Sequence, residues 1–218
     1  MFDTVNATLL NFASMIDTLG FIPNGARVYY SERTQPPLFT EMVWAYYQTA
    51  VNAPDYTANP EDILHDYVSY MDTEYQFWMS ERSVSVSAGS DTFTLNRYQA
   101  HSNLPRPEGF QEDIETATEA GISDPLSPQQ IYRDIASGAE SGWDFSSRWF
   151  SNYENLTKIG TTEIIPVDLN AILYKNEITL YKIHTQLNDT QTAQQYLTAA
   201  QNRKNAFEKI LWDDSVGL

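Results

Sequence analysis

Apolar residues recur at helical spacing along almost the whole chain, and that periodicity limits the fold more than any other feature of the sequence. Val5, Leu9, Phe12, Met15, Ile16 and Leu19 fall on one face of a helix over residues 3–19 that ends near Gly20. A second helix is expected over about 38–49. Asn59-Pro60-Glu61-Asp62 supplies an N-cap, a proline at the first helical position and early acids, and so starts a third helix reaching about residue 80. Residues 83–86 and 92–95 alternate with period two and read as short strands or extended loop. Further helices are expected up to about residue 120, from Ser127-Pro128 to just before Gly142, from a cap at Asp168 to about 187, and from Asp189 or Thr190 to about 211. Long helices joined by long, polar, aromatic-rich loops suit hairpins gathered around a shared axis. An ordinary bundle offers the same count of helices and loops.

Composition excludes several classes of function. Hydrophobic residues are 42% of the chain and charged residues 19%, a globular rather than disordered balance. Twenty-nine acids against 13 bases give a net charge of −16, the wrong sign for a nucleic-acid backbone or an anionic membrane. No run of about 18 apolar residues exists to span a bilayer. Without cysteine there is no disulfide, thiol nucleophile or Cys-ligated zinc. His65, His101 and His184 lack ligand spacing, so no metal and no other cofactor is expected. No Pro/Ser-rich linker or solenoid repeat divides residues 1–218, which read as one domain. Met1-Phe2-Asp3-Thr4 is no signal peptide, yet Asn6, Asn155 and Asn188 each head a glycosylation sequon and support an extracellular or outer-face origin. Both ends look cut from something longer.

Four loop segments hold the unusual chemistry. They are Pro23-Asn24-Gly25-Ala26-Arg27-Val28-Tyr29-Tyr30, Glu32-Arg33-Thr34-Gln35-Pro36-Pro37, Pro105-Arg106-Pro107-Glu108-Gly109-Phe110 and the stretch Ala139-Glu140-Ser141-Gly142-Trp143-Asp144 through Trp149. Each sets an amide, guanidinium or carboxylate beside Gly or Pro, where backbone geometry is constrained. Every base before Lys158 is arginine, and the chain holds ten phenylalanines, five tryptophans and fourteen tyrosines. Aromatic planes and guanidinium forks suit a neutral, polyhydroxylated ligand. A carboxyl beside tryptophan also suits a general acid, because an apolar wall raises its pKa. The same segments could instead be buried ion pairs bracing long loops.

Taken together, "PNGARVYYSERTQPP", "LPRPEGFQED", "AESGWDFSSRWF" and "IIPVDLNAILYKNE", in this order over residues 23–176, resemble the trehalases, glycosidases that hydrolyse α,α-trehalose to two glucoses with inversion. The resemblance implies an all-α fold, part of an (α/α)6 toroid, with short strands or extended loops near 83–98. It implies trehalose as the small-molecule partner. Matched motif by motif, Asp144 corresponds to the family's general acid and Gly142 to a neighbouring substrate contact. Asn24 corresponds to a sugar-binding amide, and Arg33, Thr34 and Gln35 to a stretch that binds sugar hydroxyls. Arg106, Pro107 and Glu108 correspond to a second sugar-binding group. Thr34 stands where Ser is usual, and Gly109 where Ser is commoner.

The family's upstream "PGGRF" and downstream "QWD" signatures are absent, along with the later Glu that serves as general base. An inverting glycosidase needs two carboxyls about 6.5–9.5 Å apart, so the resemblance implies an incomplete catalytic domain that needs the remainder of its chain. The rival reading is a truncated, non-catalytic trehalase-like protein that at most binds sugar weakly; a third is another sugar hydrolase on the same toroid. Glu140 is the nearest competing acid, and Glu108 is expected to pair with the adjacent Arg106. Asp66, Asp72, Glu112, Asp113 and Glu115 read as solvated helix faces. Trp44, Trp78, Tyr46 and Tyr47 read as packing between helices, and Trp143 and Trp149 could line the pocket or pack beneath it.

Overall fold

The computed structural model describes residues 2–217. Seven α-helices are described, α1 (Phe2–Leu19), α2 (Phe39–Asn52), α3 (Glu61–Glu81), α4 (Phe110–Glu119), α5 (Gln130–Glu140), α6 (Val167–Gln186) and α7 (Thr190–Ala206). Two strands, β1 (Ser83–Ala88) and β2 (Asp91–Asn96), lie between α3 and α4. The chain divides into two compact units: Met1–Ile22, Pro37–Asn96 and Val167–Leu218 form the first, and Pro23–Pro36 and Arg97–Pro166 the second.

In the first unit the buried positions follow the helical period. Leu9, Ala13 and Ile16 are the buried face of α1; Ile63, Leu64, Tyr67, Met71, Tyr75 and Trp78 are that of α3. Each large side chain buried in this way contributes roughly 1.5–3 kcal/mol. Helix α1 stops where Gly20 adopts φ +84° and its N–H donates to the Ile16 carbonyl at 2.7 Å. At the start of α3, Asn59 Oδ1 accepts from the Glu61 amide at 3.3 Å. The alternating segments form an antiparallel hairpin with Ser83 opposite Asn96 and Ala88 opposite Asp91, turning at Gly89 (φ +62°).

Helix α7 has little apolar surface, and its buried face is Ala193, Tyr196, Ala200, Arg203 and Ala206. Arg203 can sit there because acceptors surround it. Its Nη1 donates to Asn96 Oδ1 and Asn170 Oδ1, both at 2.9 Å, and its Nε to Glu177 Oε1 at 2.9 Å. Tyr75 donates its hydroxyl to the same Glu177 oxygen at 2.9 Å. Asn176 donates to the Pro37 carbonyl at 2.8 Å. Asn170, Asn176 and Glu177, all from the "VDLNAILYKNE" stretch, are thus spent on holding helices together.

Several local expectations change. Helix α5 begins at Gln130 rather than Ser127, because Ser127 closes a turn on the Asp124 carbonyl at 3.0 Å. Asp168 lies inside the first turn of α6 instead of capping it, with Oδ1 accepting from the Leu169 amide at 2.9 Å. Asp189 caps α7 as expected, accepting from the Thr192 amide at 3.1 Å. Asp72 is no solvated face: it accepts from His184 Nε2 at 3.0 Å and from the Tyr196 hydroxyl at 2.6 Å. Trp78 is fully buried and Tyr46 nearly so, while the Trp44 and Tyr47 rings meet tilted, with centroids 5.2 Å apart.

Candidate active site

Asn24, Arg33, Thr34, Gln35, Arg106, Pro107, Glu108, Gly142 and Asp144 all lie in the second unit. Its frame is α5, whose second half is buried on every side from Asp134 to Glu140. Small residues Ala136, Ser137, Gly138 and Ala139 let neighbouring segments approach that half closely. A Cβ on Gly138 would meet the Phe145 ring at 3.2 Å. Glu140, wholly buried at the end of α5, accepts from the Thr34 amide through Oε1 and the Gln99 amide through Oε2, each at 2.9 Å. Ser137 Oγ accepts from the Ala100 amide at 2.9 Å. These bonds satisfy backbone amides of extended segments outside the hairpin.

Segment 23–36 folds back on itself through a bridge between Pro23 and Thr34. The Asn24 amide N–H donates to the Arg33 carbonyl at 3.0 Å. Its side chain accepts from Arg33 Nε at 3.0 Å and donates to the Thr34 and Ala139 carbonyls at 3.3 and 3.2 Å. Gln35 Nε2 donates to the Asn24 carbonyl at 2.9 Å. Arg33 is 5% exposed; its guanidinium lies 4.9 Å over the Tyr30 ring and donates through Nη2 to Glu108. Glu108 therefore pairs with Arg33 and not, as expected from adjacency, with Arg106. Thr34 is fully buried.

Arg106 turns to a different carboxylate. Its Nε donates to Asp113 Oδ2 at 3.0 Å, its Nη2 to Oδ1 at 2.8 Å, and its backbone N–H to Oδ2 at 2.8 Å. Asp113, read from sequence as a solvated face, is 2% exposed in the first turn of α4, where the helix dipole favours an acid. The Arg106 guanidinium also lies 4.9 Å over Phe145. Pro107 and Glu108 open a short 3-10 turn, Pro107–Gly109.

Beyond α5, Gly142 takes φ +73°, a conformation that favours glycine, and turns the chain outward. Ser141 Oγ donates to the Gly138 carbonyl at 2.5 Å and accepts from the Trp143 amide at 3.0 Å. Trp143 is 51% exposed, with the Arg148 guanidinium 4.7 Å over its ring; Trp149 is buried, its Nε1 donating to the Trp143 carbonyl at 3.1 Å. Asp144 follows at the surface of the unit. Partial burial pushes its carboxyl above the usual aspartate range, opposed by the Arg106 and Arg33 charges and helped by Glu108.

The structure thus gathers Asp144, Arg33, Arg106 and Glu108 into one electrostatic neighbourhood, with Gly142 at the turn before the acid. Asn24 and Gln35 turn to backbone carbonyls, Asn24 reaching Ala139 of α5 as well as its own segment, and Thr34 lies beneath the surface. The Arg33–Glu108 and Arg106–Asp113 ion pairs brace the loops, as the ion-pair alternative has it. Sequence reasoning missed Asp113 and the bracing role of Glu140. The one available signal was that Asp113 lies four residues before the buried Ala117, on the same face of α4. Among the described residues no group of three or more His, Cys, Asp or Glu side chains could hold a metal ion.

A family model described as "Trehalase" matches residues 1–218. The chain is 41% identical over 218 residues to a trehalase from Dictyostelium discoideum, covering 98% of this chain and 35% of that protein. It is 37% identical to a trehalase from Apis mellifera (100% and 34% covered), and 41% identical to a periplasmic trehalase from Escherichia coli (99% and 37% covered). Among solved structures, neutral trehalase from Saccharomyces cerevisiae matches with TM-score 0.73 at 20% identity, covering 98% of this chain and 41% of that one. The likeness of fold agrees with a segment of an (α/α)6 toroid carrying a short two-stranded hairpin. The chain spans about a third of the length of the curated relatives it matches.

Proposed function

This chain belongs to the trehalase family, and from that premise we propose that it carries the acid side of an inverting trehalose-hydrolysing site, with Asp144 as proton donor. The observation that carries the proposal is that Asp144 follows the exposed Trp143, with its carboxyl raised by partial burial in the field of Arg106 and Arg33. A raised pKa favours the protonated form that a proton donor must offer to the glycosidic oxygen as the C–O bond breaks. Arg33 and Arg106 present donors to sugar hydroxyls, and the Arg33–Glu108 pair offers both donor and acceptor. Asn24, Thr34, Gln35 and Pro107 shape that surface, Asn24 by fixing Arg33 Nε. Gly142 lets the backbone come close to the sugar.

Inversion also needs a carboxylate to activate water on the opposite face of the sugar, and that base lies outside these 218 residues. By itself the chain is then expected to bind trehalose weakly and release no glucose above a buffer blank. Turnover by the chain alone would place the base among its own acids. Exposed sequons at Asn155 and Asn188, and relatives named periplasmic, favour a location outside the cytoplasm.

The test is Asp144→Asn in a protein carrying the complete site. Trehalose turnover should fall by about 10²–10⁴ in kcat, the scale of losing a general acid. An α-glucosyl fluoride, whose leaving group needs little protonation, should retain far more activity. Equal losses on both substrates would remove Asp144 from the acid role.

A further inference from the structure

Asp113 does more than bury a charge. Its two oxygens receive Arg106 side-on, through Nε and Nη2, and one of them also accepts the Arg106 backbone amide. Three constraints from one carboxylate hold both the chain and the rotamer of Arg106. One face of the guanidinium is covered by the Phe145 ring at 4.9 Å, and Phe145 is the residue next to Asp144. Gly109 leaves the needed room, since a Cβ there would stand 2.8 Å from Arg106 Nη2. Asp113 uses Nε and one edge of Nη2, so Nη1 remains to address another acceptor.

Resting on the proposed acid role of Asp144, we propose that Asp113 is a positioning residue for that site: it aims Arg106 at the sugar and offsets the guanidinium charge beside the proton donor. The charges that act on Asp144 are those of Arg106, Arg33 and Glu108, and those that act on Arg106 are Asp113, Glu108 and Asp144. Arg33 has Glu108 as its own partner. Without Asp113, Arg106 would be the uncompensated cation of the group. Its charge favours the ionised form of Asp144, so losing Asp113 moves the donor toward releasing its proton too early.

The experiment is a carbon-13 NMR titration of the Asp144 carboxyl in the 218-residue chain. Asp113→Asn should lower the Asp144 midpoint by about half a unit to one unit. Asp113→Glu should keep the midpoint within a few tenths of wild type, because the charge is retained. The double variant Asp113→Asn/Arg106→Gln should return the midpoint to wild type or above, because the effect runs through Arg106. A midpoint that stays put in Asp113→Asn, or that remains lowered in the double variant, overturns the proposal. If Asp113→Asn fails to fold, Asp113→Glu with and without Arg106→Gln decides instead: the midpoint should rise when Arg106 is removed, and no rise overturns the proposal. Calorimetric titration with trehalose is a separate arm. If wild type binds no sugar, the proposed function fails, while the Asp144 midpoint still reports on Asp113. If it binds, Asp113→Asn should weaken the affinity roughly tenfold, the loss of one well-aimed charged hydrogen bond; unchanged affinity overturns the aiming half of the proposal.

Discussion

Glu140 and Asp144 stand four residues apart and have opposite surroundings. Glu140 spends both oxygens on backbone amides, of Thr34 and Gln99, inside a fully buried pocket. Glu140→Gln replaces one acceptor by an NH2 group and leaves a buried amide unpaired, which costs about 1–3 kcal/mol. The melting temperature should drop by roughly 2–4 °C for each kcal/mol, and the fluoride-to-trehalose activity ratio should not move. An unchanged melting curve would show that the brace contributes nothing. At this scale the sequence was partly legible. "SGWDFSSRW" pointed to Asp144, whereas Glu112 and Asp113 are adjacent acids that only packing separates: Asp113 faces inward to Arg106 and Glu112 faces water. Adjacency also misled for Glu108, because the turn Pro107–Gly109 points it at Arg33.

Among the elements, α3, α6 and α7 meet at a histidine. His184 of α6 is within hydrogen-bond reach of Asp72 of α3 at 3.0 Å and Asp189, the α7 cap, at 3.3 Å. It also stacks on Tyr196 of α7 at 5.5 Å. Burial works against its charge, but the hydrogen bonds and charges of Asp72 and Asp189 outweigh it and raise the pKa above the ordinary 6.5. A raised folded-state pKa means stabilisation that is complete below the unfolded value and lost as pH climbs through the folded one. His184→Gln should therefore destabilise the chain more at pH 6 than at pH 8.5, as read by urea denaturation. Equal destabilisation at both pH values would mean that the imidazole acts by packing alone. The helices themselves were legible, since α1, α3 and α6 repeat apolar residues at helical spacing. The polar contacts that join them were not, because Asp72 and His184 are 112 residues apart in sequence.

Across the molecule, the resolved shifts of Glu74, Glu177 and His184 point the same way. Glu74 is fully buried, and burial lifts its carboxyl from 4.5 to about 8 despite a hydrogen bond from the Phe39 amide. Between those values the folded state keeps a proton that the unfolded chain releases, so stability falls as pH rises, by at most about 1.4 kcal/mol per unit from this group. Glu177 is raised in the same direction by burial, with Arg203 opposing. Stability should therefore decline from about pH 5 to pH 8, and Glu74→Gln should flatten most of that slope. A flat wild-type profile would refute the assignment. From the sequence alone came the helical class, the hairpin segments and the family motifs, because apolar period, capping residues and motif spacing are properties of neighbours along the chain. Which acids are buried, which arginine each one holds, and which motif residues brace the loops were decided only by tertiary structure. Burial and pairing depend on residues that the chain brings together from far apart, and desolvation then sets the charge each group can carry.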